Sequence, residues 1–378
     1  MGVARGVART SSQMVECVSE MDLAIVSFSD DDKDLWNGWV ASNPWASFYH
    51  LWEWGEVLCR TYQYPRYYLG VKRGHDILAV LPLIYIRSRI FANKLVSVPF
   101  AEYGGPLLRD STDSVEIESA LAVLSDTLSA LTKVLGVDYV DLRQPHFSLS
   151  LTAPTSVSTP LRRYVTFRVD LTKSEEELWK GLDRKCRNAV RKAMKSGVKT
   201  KEVDADDMRR YYRLYLDTES RHGSPPHSAT FFRSVFDVFA QKRLRMTLAV
   251  FEREAIGGIM AFYFRRKLYW FNNVVNRKYA RLNPTNLLLW DLIRWGAEND
   301  LATLDLGQTR REDAGVYRFK SSWGGHEVPL ENHVLMMKDA EIPDPLQRKY
   351  LVLSRLWSLL PHALTERVGP NLIRSIAL

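Results

Sequence analysis

Cysteine is scarce in this sequence, and long apolar runs are missing. The three cysteines, Cys17, Cys59 and Cys186, lie far apart with no Cys-x-x-Cys pair, so neither a disulfide framework nor a zinc site is predicted. The longest apolar run, residues 78–86, contains Pro82 and is far shorter than the ~20 residues of a membrane-spanning helix. We therefore expect a protein of a reducing compartment, with no metal site and no transmembrane helix.

The amino-terminal segment also lacks a targeting signal. Residues 1–20 contain arginines without a following apolar stretch, and Gly6 stands where a myristoylation signal would have Ser or Thr. We expect a disordered leader there and a cytoplasmic location.

The composition is that of a folded, basic protein. Hydrophobic residues make up 46% of the chain and aromatic residues 11%, which argues against disorder. Lysine and arginine outnumber aspartate and glutamate by 52 to 44, giving a formal net charge of +8. A positive charge favours anionic partners, although it does not distinguish a nucleotide, a phospholipid surface, a polyanionic glycan precursor and RNA.

A length of 378 residues predicts two domains, because one hydrophobic core rarely serves so long a chain. Hydrophobic periodicity predicts one order in both halves: a strand, helices, an antiparallel meander, a helix and a strand. A segment rich in Ser, Thr and Pro at 152–160 is the predicted linker. The predicted fold class is α/β (α+β), with tandem units at 21–160 and 161–340, each a mixed, mainly antiparallel sheet flanked by helices.

The individual elements follow from the same patterns. Predicted helices lie at 52–62, 115–135, 175–196, 205–222, 230–241 and 285–299, and a further one carries Leu35, Trp36 and Trp39. Predicted strands lie at 23–28, 67–73, 77–87, 94–99, 139–142, 164–171, 245–251, 255–264, 267–274 and 303–306.

The tail, residues 341–378, has two apolar helical patterns separated by Pro361. A helical hairpin that packs on the body is one interpretation. The other is an amphipathic helix on a membrane surface at the inner face, with basic residues at Arg348, Lys349, Arg355, Arg367 and Arg374.

The predicted helix at 175–196 has a strongly basic face. Its apolar stripe runs through Trp179, Leu182, Cys186, Ala189 and Ala193, and Ser174 with Glu177 forms a capping box at its start. Spacings of three and four residues align Arg184, Arg187, Arg191 and Lys195. This face is either merely solvated or a cradle for phosphates.

Two turns carry groups that could bind a ligand. A helix ends at Arg221 and His222 before Gly223, which makes them ligand contacts or simply a helix end on a surface loop. His222 and His227 are five residues apart, a poor spacing for a metal site.

The second turn follows a strand that carries Tyr269, Asn272 and Asn273. It contains Arg281 and leads to Thr285 and Asn286 at a predicted helix start, where free amides bind anions.

The segment at 304–325 contains the best candidate for chemistry. A strand ends at Asp305 and Gly307, and Arg310, Tyr317, Phe319, Lys320 and Trp323 follow. A lysine held near a strand end can stabilise the oxyanion of a tetrahedral acyl-transfer intermediate. An ordinary surface lysine would look the same in the sequence. Asp305 and Asp313 are the candidate general bases, beside proton loss to water.

These residues resemble the FemAB and BioF2-like acetyltransferase domains of the GNAT superfamily. In the second half the likeness lies at 212–221, 256–258, 283–290, 305–307, 315–320 and 323–324, and in the first half at 48–50, 54, 80–83, 87–89, 97–100 and 103–105. The tail is similar to that of FemAB-related proteins found beside PEP-CTERM/exosortase systems, through Leu360-Pro361 and Gly369-Pro370.

The resemblance implies tandem GNAT-like domains that transfer an acyl or aminoacyl group to an amine of a cell-envelope or polysaccharide or glycolipid precursor. Acyl-CoA or aminoacyl-tRNA would be the co-substrate, with no tightly bound cofactor. The implied partners are an anionic small molecule or glycolipid acceptor, tRNA, and a membrane contacted by the tail. Catalysis is assigned to Lys320, Phe319 and Asp305. Substrate binding is assigned to Arg221, His222, Arg184, Arg187, Arg191, Asn272, Tyr317, Arg310 and Trp323, and donor binding to Arg281, Thr285 and Asn286.

Two departures from the family pattern stand in the sequence. The usual GNAT pyrophosphate loop, Arg/Gln-x-x-Gly-x-Gly/Ala, is replaced by Arg281-x-x-Pro284-x-Asn286, and Leu58 stands where Fem ligases carry a lysine. The alternative functions are a non-catalytic protein that holds a phosphate-bearing glycolipid precursor for an export or assembly system, and an RNA-binding protein.

Overall fold

The computed structural model describes residues 23–88, 91–110, 114–143, 158–337 and 348–376. The expected leader at 1–20 and most of the expected linker, at 152–157, lie outside these residues.

Helices are numbered α1 to α11 along the described chain. They span Lys33–Ser42, Trp52–Tyr62, Ser114–Leu135, Glu175–Gly181, Arg184–Lys195, Met208–His222, Ala229–Phe239, Pro284–Glu298, Ala314–Ser321, Arg348–Ser358 and His362–Ile376. Short 3₁₀ segments cover Asp30–Asp32, Phe48–His50 and Arg277–Leu282.

Strands are numbered β1 to β14 in the same way. They span Leu23–Phe28, Arg66–Arg73, Asp76–Ile86, Lys94–Val96, Leu107–Leu108, Tyr139–Arg143, Ser158–Asp170, Lys199–Glu202, Leu244–Phe251, Glu254–Phe264, Lys267–Val275, Thr303–Asp305, Thr309–Arg310 and His326–Met336.

One continuous sheet runs through both halves, in the order β1-β2-β3-β4-β6-β14-β7-β12-β11-β10-β9-β8. Neighbours are antiparallel except β4 with β6 and β11 with β12, which are parallel. Each half thus has an antiparallel run that ends in one parallel pair. The predicted fold class, tandem units with mixed and mainly antiparallel sheets, is confirmed.

Strand β14, which we did not predict, joins the two halves. It pairs with β6 on one side and with β7 on the other. Its polar residues and Pro329 obscure the pattern, since proline is rare inside a central strand. The predicted domain division at residue 160 falls within β7, in the middle of this shared sheet.

The predicted helix at 175–196 is two helices. Ser174 caps α4 by accepting the backbone N–H of Glu177 at 3.3 Å, as the capping box predicted. The chain is extended at Leu182, whose side chain is buried in the core, and α5 starts afresh at Arg184. The four predicted basic residues, Arg184, Arg187, Arg191 and Lys195, all lie on α5, whereas Trp179 of the predicted apolar stripe lies on α4.

Three hydrophobic clusters surround the sheet. One packs α3 on the strands of the first half, and a second packs α5 and α8 on the strands of the second half. The third lies between the halves and is rich in aromatic rings; Phe48 stacks on Phe262 with 4.3 Å between ring centroids. Such pairs add about 0.5–1.5 kcal/mol beyond their buried area, so the halves are held together by more than the shared sheet.

The tail contains two helices, α10 and α11, and both pack on α6. The end of α11 reaches the first half, where the Tyr64 hydroxyl donates to the carbonyl of Arg374 and the Lys94 ammonium to that of Ile376. No helix within the described ranges is both long and apolar enough to cross a membrane.

Candidate functional site

The parallel strands β11 and β12 separate after three residue pairs. Their register covers Lys267 with Thr303, Leu268 with Leu304, and Tyr269 with Asp305. Beyond Asp305 the chain turns away, whereas β11 continues to Val275 and there pairs with β10 alone among the described strands. Side chains bond some backbone groups of this part of β11: Nε1 of Trp270 donates to the Asn272 carbonyl at 3.1 Å, and the Val275 N–H donates to the Thr218 hydroxyl at 3.2 Å. The remaining edge of β11 faces a gap in which an extended ligand could add hydrogen bonds.

Lys320 lies buried beside this gap, on α9. Its ammonium donates to the carbonyl oxygens of Gly307 at 3.0 Å and Gln308 at 2.9 Å, and lies 5.4 Å from the ring centroid of Trp270. Burial lowers the pKa of Lys320 to about 8, although Glu102 and nearby aspartates oppose the shift. The third N–H has no acceptor among the described residues, so it is available to a bound oxyanion.

The turn that holds Lys320 requires glycine at position 307. Its φ is +72°, and an added Cβ would lie 3.1 Å from the carbonyl oxygen of Trp270 and 3.2 Å from a carboxylate oxygen of Glu102. Gly307 therefore lets the turn pass between β11 and a residue of the first half.

Asp305 is the centre of a buried hydrogen-bond cluster. Its Oδ1 accepts from the Thr166 hydroxyl at 2.5 Å and from the backbone N–H of Gly307 at 2.9 Å. Its Oδ2 accepts from Tyr103 at 2.5 Å and from Nε of Arg168 at 3.3 Å. With four donors bound, this carboxylate is better placed to position the turn than to accept a proton from substrate.

Glu102, from the first half, faces the same turn. The Tyr49 hydroxyl donates to one carboxylate oxygen, and the backbone N–H of Gln308 lies 3.4 Å from the other. Burial raises the pKa of Glu102, while the bond from Tyr49 opposes this. The side chain is half-buried, and it contributes negative charge near Lys320.

A second carboxylate, Glu219, lies on α6, which covers the far end of β11. Burial raises the pKa of Glu219 to about 7, although Arg221 opposes the shift. No hydrogen bond or ion pair to its carboxylate is found within the described part of the chain. On the same helix, the Tyr211 hydroxyl donates to Oδ1 of Asn272 at 2.9 Å. A half-buried carboxylate with a pKa near neutrality is suited to general-base catalysis.

Arg221 ties the end of α6 to the end of β11. Its Nη2 donates to the carbonyl of Val275 at 2.6 Å and to the Thr218 hydroxyl at 3.1 Å, and its Nε donates to the carbonyl of Asp217 at 3.1 Å. This leaves Nη1 for a ligand. Burial, with the charge of Arg221, lowers the pKa of the neighbouring His222.

The predicted arginines of α5 differ in their surroundings. Arg187 donates to the carbonyls of Lys180, at 2.9 Å, and Leu182, so it caps the end of α4. Arg191 lies 5.2 Å from the ring centroid of Trp179. Arg184 is exposed at the first turn of α5, and its setting is the one most open to an anion.

The predicted donor-binding residues meet α5 at the start of α8. Thr285 and Asn286 lie in the first turn of α8, after Pro284, and Arg281 is exposed in the preceding 3₁₀ segment. The Asn286 amide lies 3.9 Å from Sγ of Cys186 on α5. The free amides of α8 and the first turn of α5 therefore lie close together.

The other predicted residues surround α9. Phe319 packs between Trp270 and Trp323, with centroid distances of 6.2 Å and 5.8 Å. The Tyr317 hydroxyl donates to Glu327 on β14, and Arg310 donates to the Tyr164 hydroxyl on β7 at 3.0 Å. Phe319 thus lies beside the gap, whereas Tyr317 and Arg310 hold α9 and β13 to the sheet.

Sequence reasoning did not identify Glu102, Tyr103, Arg168 and Glu219 as site residues. Residues 103–105 and 212–221, the latter including Glu219, enter the sequence analysis only through the family resemblance. A carboxylate on an otherwise apolar or aromatic helix face, as in Tyr211, Tyr215 and Glu219, was the available signal for the second carboxylate.

Comparisons with known proteins bear on the second half of the chain and on the fold. Residues 183–321 match the family model described as an acetyltransferase (GNAT) domain. The fold is similar to that of FemX, with a TM-score of 0.61 and 13% identity, over 81% of this chain and 96% of that one. No curated protein sequence gives a match.

Two further solved structures share the fold. A tandem GNAT protein from the clavulanic acid biosynthesis pathway has a TM-score of 0.54 and 10% identity, over 84% of this chain and 100% of that one. L-PGS from Bacillus licheniformis has a TM-score of 0.53 and 12% identity, over 87% and 98%. Residues 183–321 therefore match a GNAT acetyltransferase domain, and the chain as a whole shares its fold with FemX and with a tandem GNAT protein.

Proposed function

We propose that this protein transfers an acyl or aminoacyl group from an activated ester or thioester to an amine of a cell-envelope or glycolipid precursor. The observation that carries the proposal is Lys320, a buried ammonium with one unused N–H beside the open edge of β11. Burial of a charged ammonium lowers the stability of the fold, which favours a functional role for Lys320.

The proposed reaction uses two groups with different roles, a general base, Glu219, and an oxyanion donor, Lys320. With a pKa of about 7, Glu219 accepts a proton from the attacking amine as the amine bonds to the carbonyl carbon. With a pKa of about 8, Lys320 is mostly protonated at neutral pH and donates its third N–H to the resulting oxyanion. Collapse of the intermediate breaks the bond to the thiol or alcohol of the donor, which leaves with the proton.

The proposed donor site joins the edge of β11 to the start of α8. An extended thioester arm would pair with the free backbone of β11, and its phosphates would meet the first-turn amides of α8 with Arg184 and Arg281 nearby. Pro284 removes one of those amide donors, so phosphate binding depends more on the arginines. Acyl-CoA suits this arrangement, and aminoacyl-tRNA is the competing donor.

The proposed acceptor carries phosphate and resides at a membrane. Arg221 offers Nη1 to a phosphate near His222 and Asn272. Exposed apolar residues are concentrated on the tail, where Leu353, Leu356 and Leu359 are 55%, 56% and 80% exposed, with Arg355 among them. An apolar face with basic neighbours favours contact with an anionic bilayer.

Replacing Lys320 with Met tests the proposal. Release of CoA thiol from acetyl-CoA, and of uncharged tRNA from charged tRNA, is measured with cell-envelope extract as the source of amines. We expect the rate to fall by roughly 10²–10³, while the thermal shift caused by the donor persists. Lys94→Met is the matched control, because Lys94 is, among the described residues, the other buried lysine with a pKa of about 8, and its ammonium donates to the carbonyl of Ile376 in the tail. Full cellular function of Lys320→Met would instead favour the non-catalytic glycolipid-binding alternative.

A further inference from the structure

A pocket of about 120 Å³ lies at the start of β11, near Lys267 and Tyr269. It is separate from the gap beside the later residues of β11. It lies under the chain that precedes Phe48, beside the first residues of β11 and β12. It shares Asp305 and Tyr103 with the cluster described above, but Lys320, Glu102 and Glu219 are not part of its wall. Its volume is far more than one ordered water needs.

The charges in its wall do not balance. Arg168 uses Nε for Asp305 and Nη2 for the Tyr103 hydroxyl, at 3.3 Å and 3.2 Å, which leaves both hydrogens of Nη1 without an acceptor in the described residues. Lys267 forms no ion pair within those residues. Asp305, the one carboxylate in the described wall, is bonded to Arg168 and not to Lys267. Lys267 as a whole residue is exposed, but partial burial of its ammonium, with the charges of Arg168 and Arg265, lowers its pKa.

Two hydroxyl groups, those of Tyr269 and Thr303, also line the pocket. Residues two apart on a strand lie on one face, so Lys267 and Tyr269 share a face of β11, and Thr303 shares a face of β12 with Asp305. The register places Lys267 opposite Thr303 and Tyr269 opposite Asp305. Neither the Tyr269 nor the Thr303 hydroxyl has a hydrogen-bond partner among the described side chains and backbone groups.

We propose that this pocket binds the carboxylate or phosphate group of a small molecule. Nη1 of Arg168 and Nζ of Lys267 supply the charge, and the hydroxyls of Tyr269 and Thr303 supply neutral donors. Trp45 lies at the rim, 53% exposed, where its ring can cover the rest of the molecule. Lys320 and Glu219, the groups proposed to carry out acyl transfer, do not line this site, whereas Asp305, which accepts from the backbone N–H of Gly307, does.

Titration with inorganic phosphate and, separately, with acetate tests the proposal. Binding is measured by calorimetry on the full-length protein. We expect saturable binding of at least one anion, weakened about tenfold or more in Lys267→Met, which keeps the length of the side chain and removes its charge. Lys133→Met, an exposed lysine of α3, is the control with the same change of net charge, and should bind as the unchanged protein does.

The two arms also distinguish the ligand classes. Phosphate binding without acetate binding points to a phosphate ester, and the reverse points to a carboxylic acid. The proposal is overturned if no saturable site is weakened in Lys267→Met, or if neither anion binds. Circular dichroism of each variant shows whether it is folded, and a crystal soaked in phosphate gives a second readout, with density expected between Arg168 and Lys267.

Discussion

Nζ of Lys320 lies 3.0 Å from the carbonyl oxygen of Gly307, a residue in the left-handed region of backbone conformation. The ammonium is thus held by a turn that only a small residue can form there, because Trp270 and Glu102 occupy the space where a Cβ would lie. The position of the proposed oxyanion donor therefore depends on a glycine that carries no functional group.

Gly307→Ala should move this turn and with it Lys320. We expect a loss of stability of about 1–2 kcal/mol from the positive φ. We also expect kcat/KM to fall about tenfold or more, which corresponds to about 1.4 kcal/mol at the transition state. Gly74→Ala is the control, since Gly74 has φ +58° and open space around its Cα. Similar activity losses in both variants would show that strain alone, and not the position of Lys320, limits the rate.

Glu219→Gln should remove the base from the reaction. We expect kcat to fall by roughly 10²–10⁴. In the unchanged protein the rate should rise with pH through about 7, as Glu219 loses its proton, and this limb should be missing in the variant. Glu118→Gln, on the exposed face of α3, is the control. A pH profile that keeps its limb in Glu219→Gln would assign the base to another group.

The raised pKa of Glu219 also predicts how stability depends on pH. Because the folded protein holds the proton more tightly than the unfolded chain, the contribution of Glu219 is greatest below its ordinary pKa of 4.5 and is lost as pH rises to about 7. Urea unfolding at pH 5 and pH 8 should therefore show a smaller difference in the free energy of unfolding for Glu219→Gln than for the unchanged protein.

Two arginines of α5 should have different effects when replaced. Arg187 should affect stability, and Arg184 should affect donor binding. Arg187→Ala removes the cap of α4 and should cost about 1.5–3 kcal/mol of stability, with little effect on KM. Arg184→Ala, at an exposed position, should leave stability within about 0.5 kcal/mol and raise the KM for a phosphate-bearing donor. Urea unfolding and steady-state kinetics check both. An unchanged KM in Arg184→Ala would remove α5 from the proposed donor site.

The tail should bind vesicles that contain anionic lipid. Leu353→Glu combined with Leu356→Glu should abolish co-sedimentation, since each buried leucine contributes about 1.5–3 kcal/mol. Val134→Glu, at a position 79% exposed on α3, is the control for adding charge at an exposed apolar residue. If the double variant co-sediments as much as the unchanged protein does, this face of the tail is not the membrane-binding surface.

The sequence predicted most strands and helices within a few residues, because hydrophobic periodicity and capping are local. The strands at 255–264 and 267–274 agree closely with β10 and β11, and Ser174 caps α4 as expected. The failures have local causes as well. Pro329 obscures β14, and the extended Leu182 interrupts a pattern that otherwise continues as one helix.

The sequence by itself determined the fold class with its tandem organisation, and it predicted that the segment around Lys320 is the candidate for chemistry. Only the tertiary structure decided the environment of that lysine. Tyr103 and Asp305 are 202 residues apart, and Glu102 faces the turn at Gly307, so no spacing in the sequence could show that these segments meet near Lys320. The partners of Arg187 could not be predicted from the sequence either. Its guanidinium binds carbonyl groups at the end of α4, and the sequence shows only its charge. Burial and hydrogen-bond partners arise when distant segments pack, and they set which of several similar charges can bind a ligand.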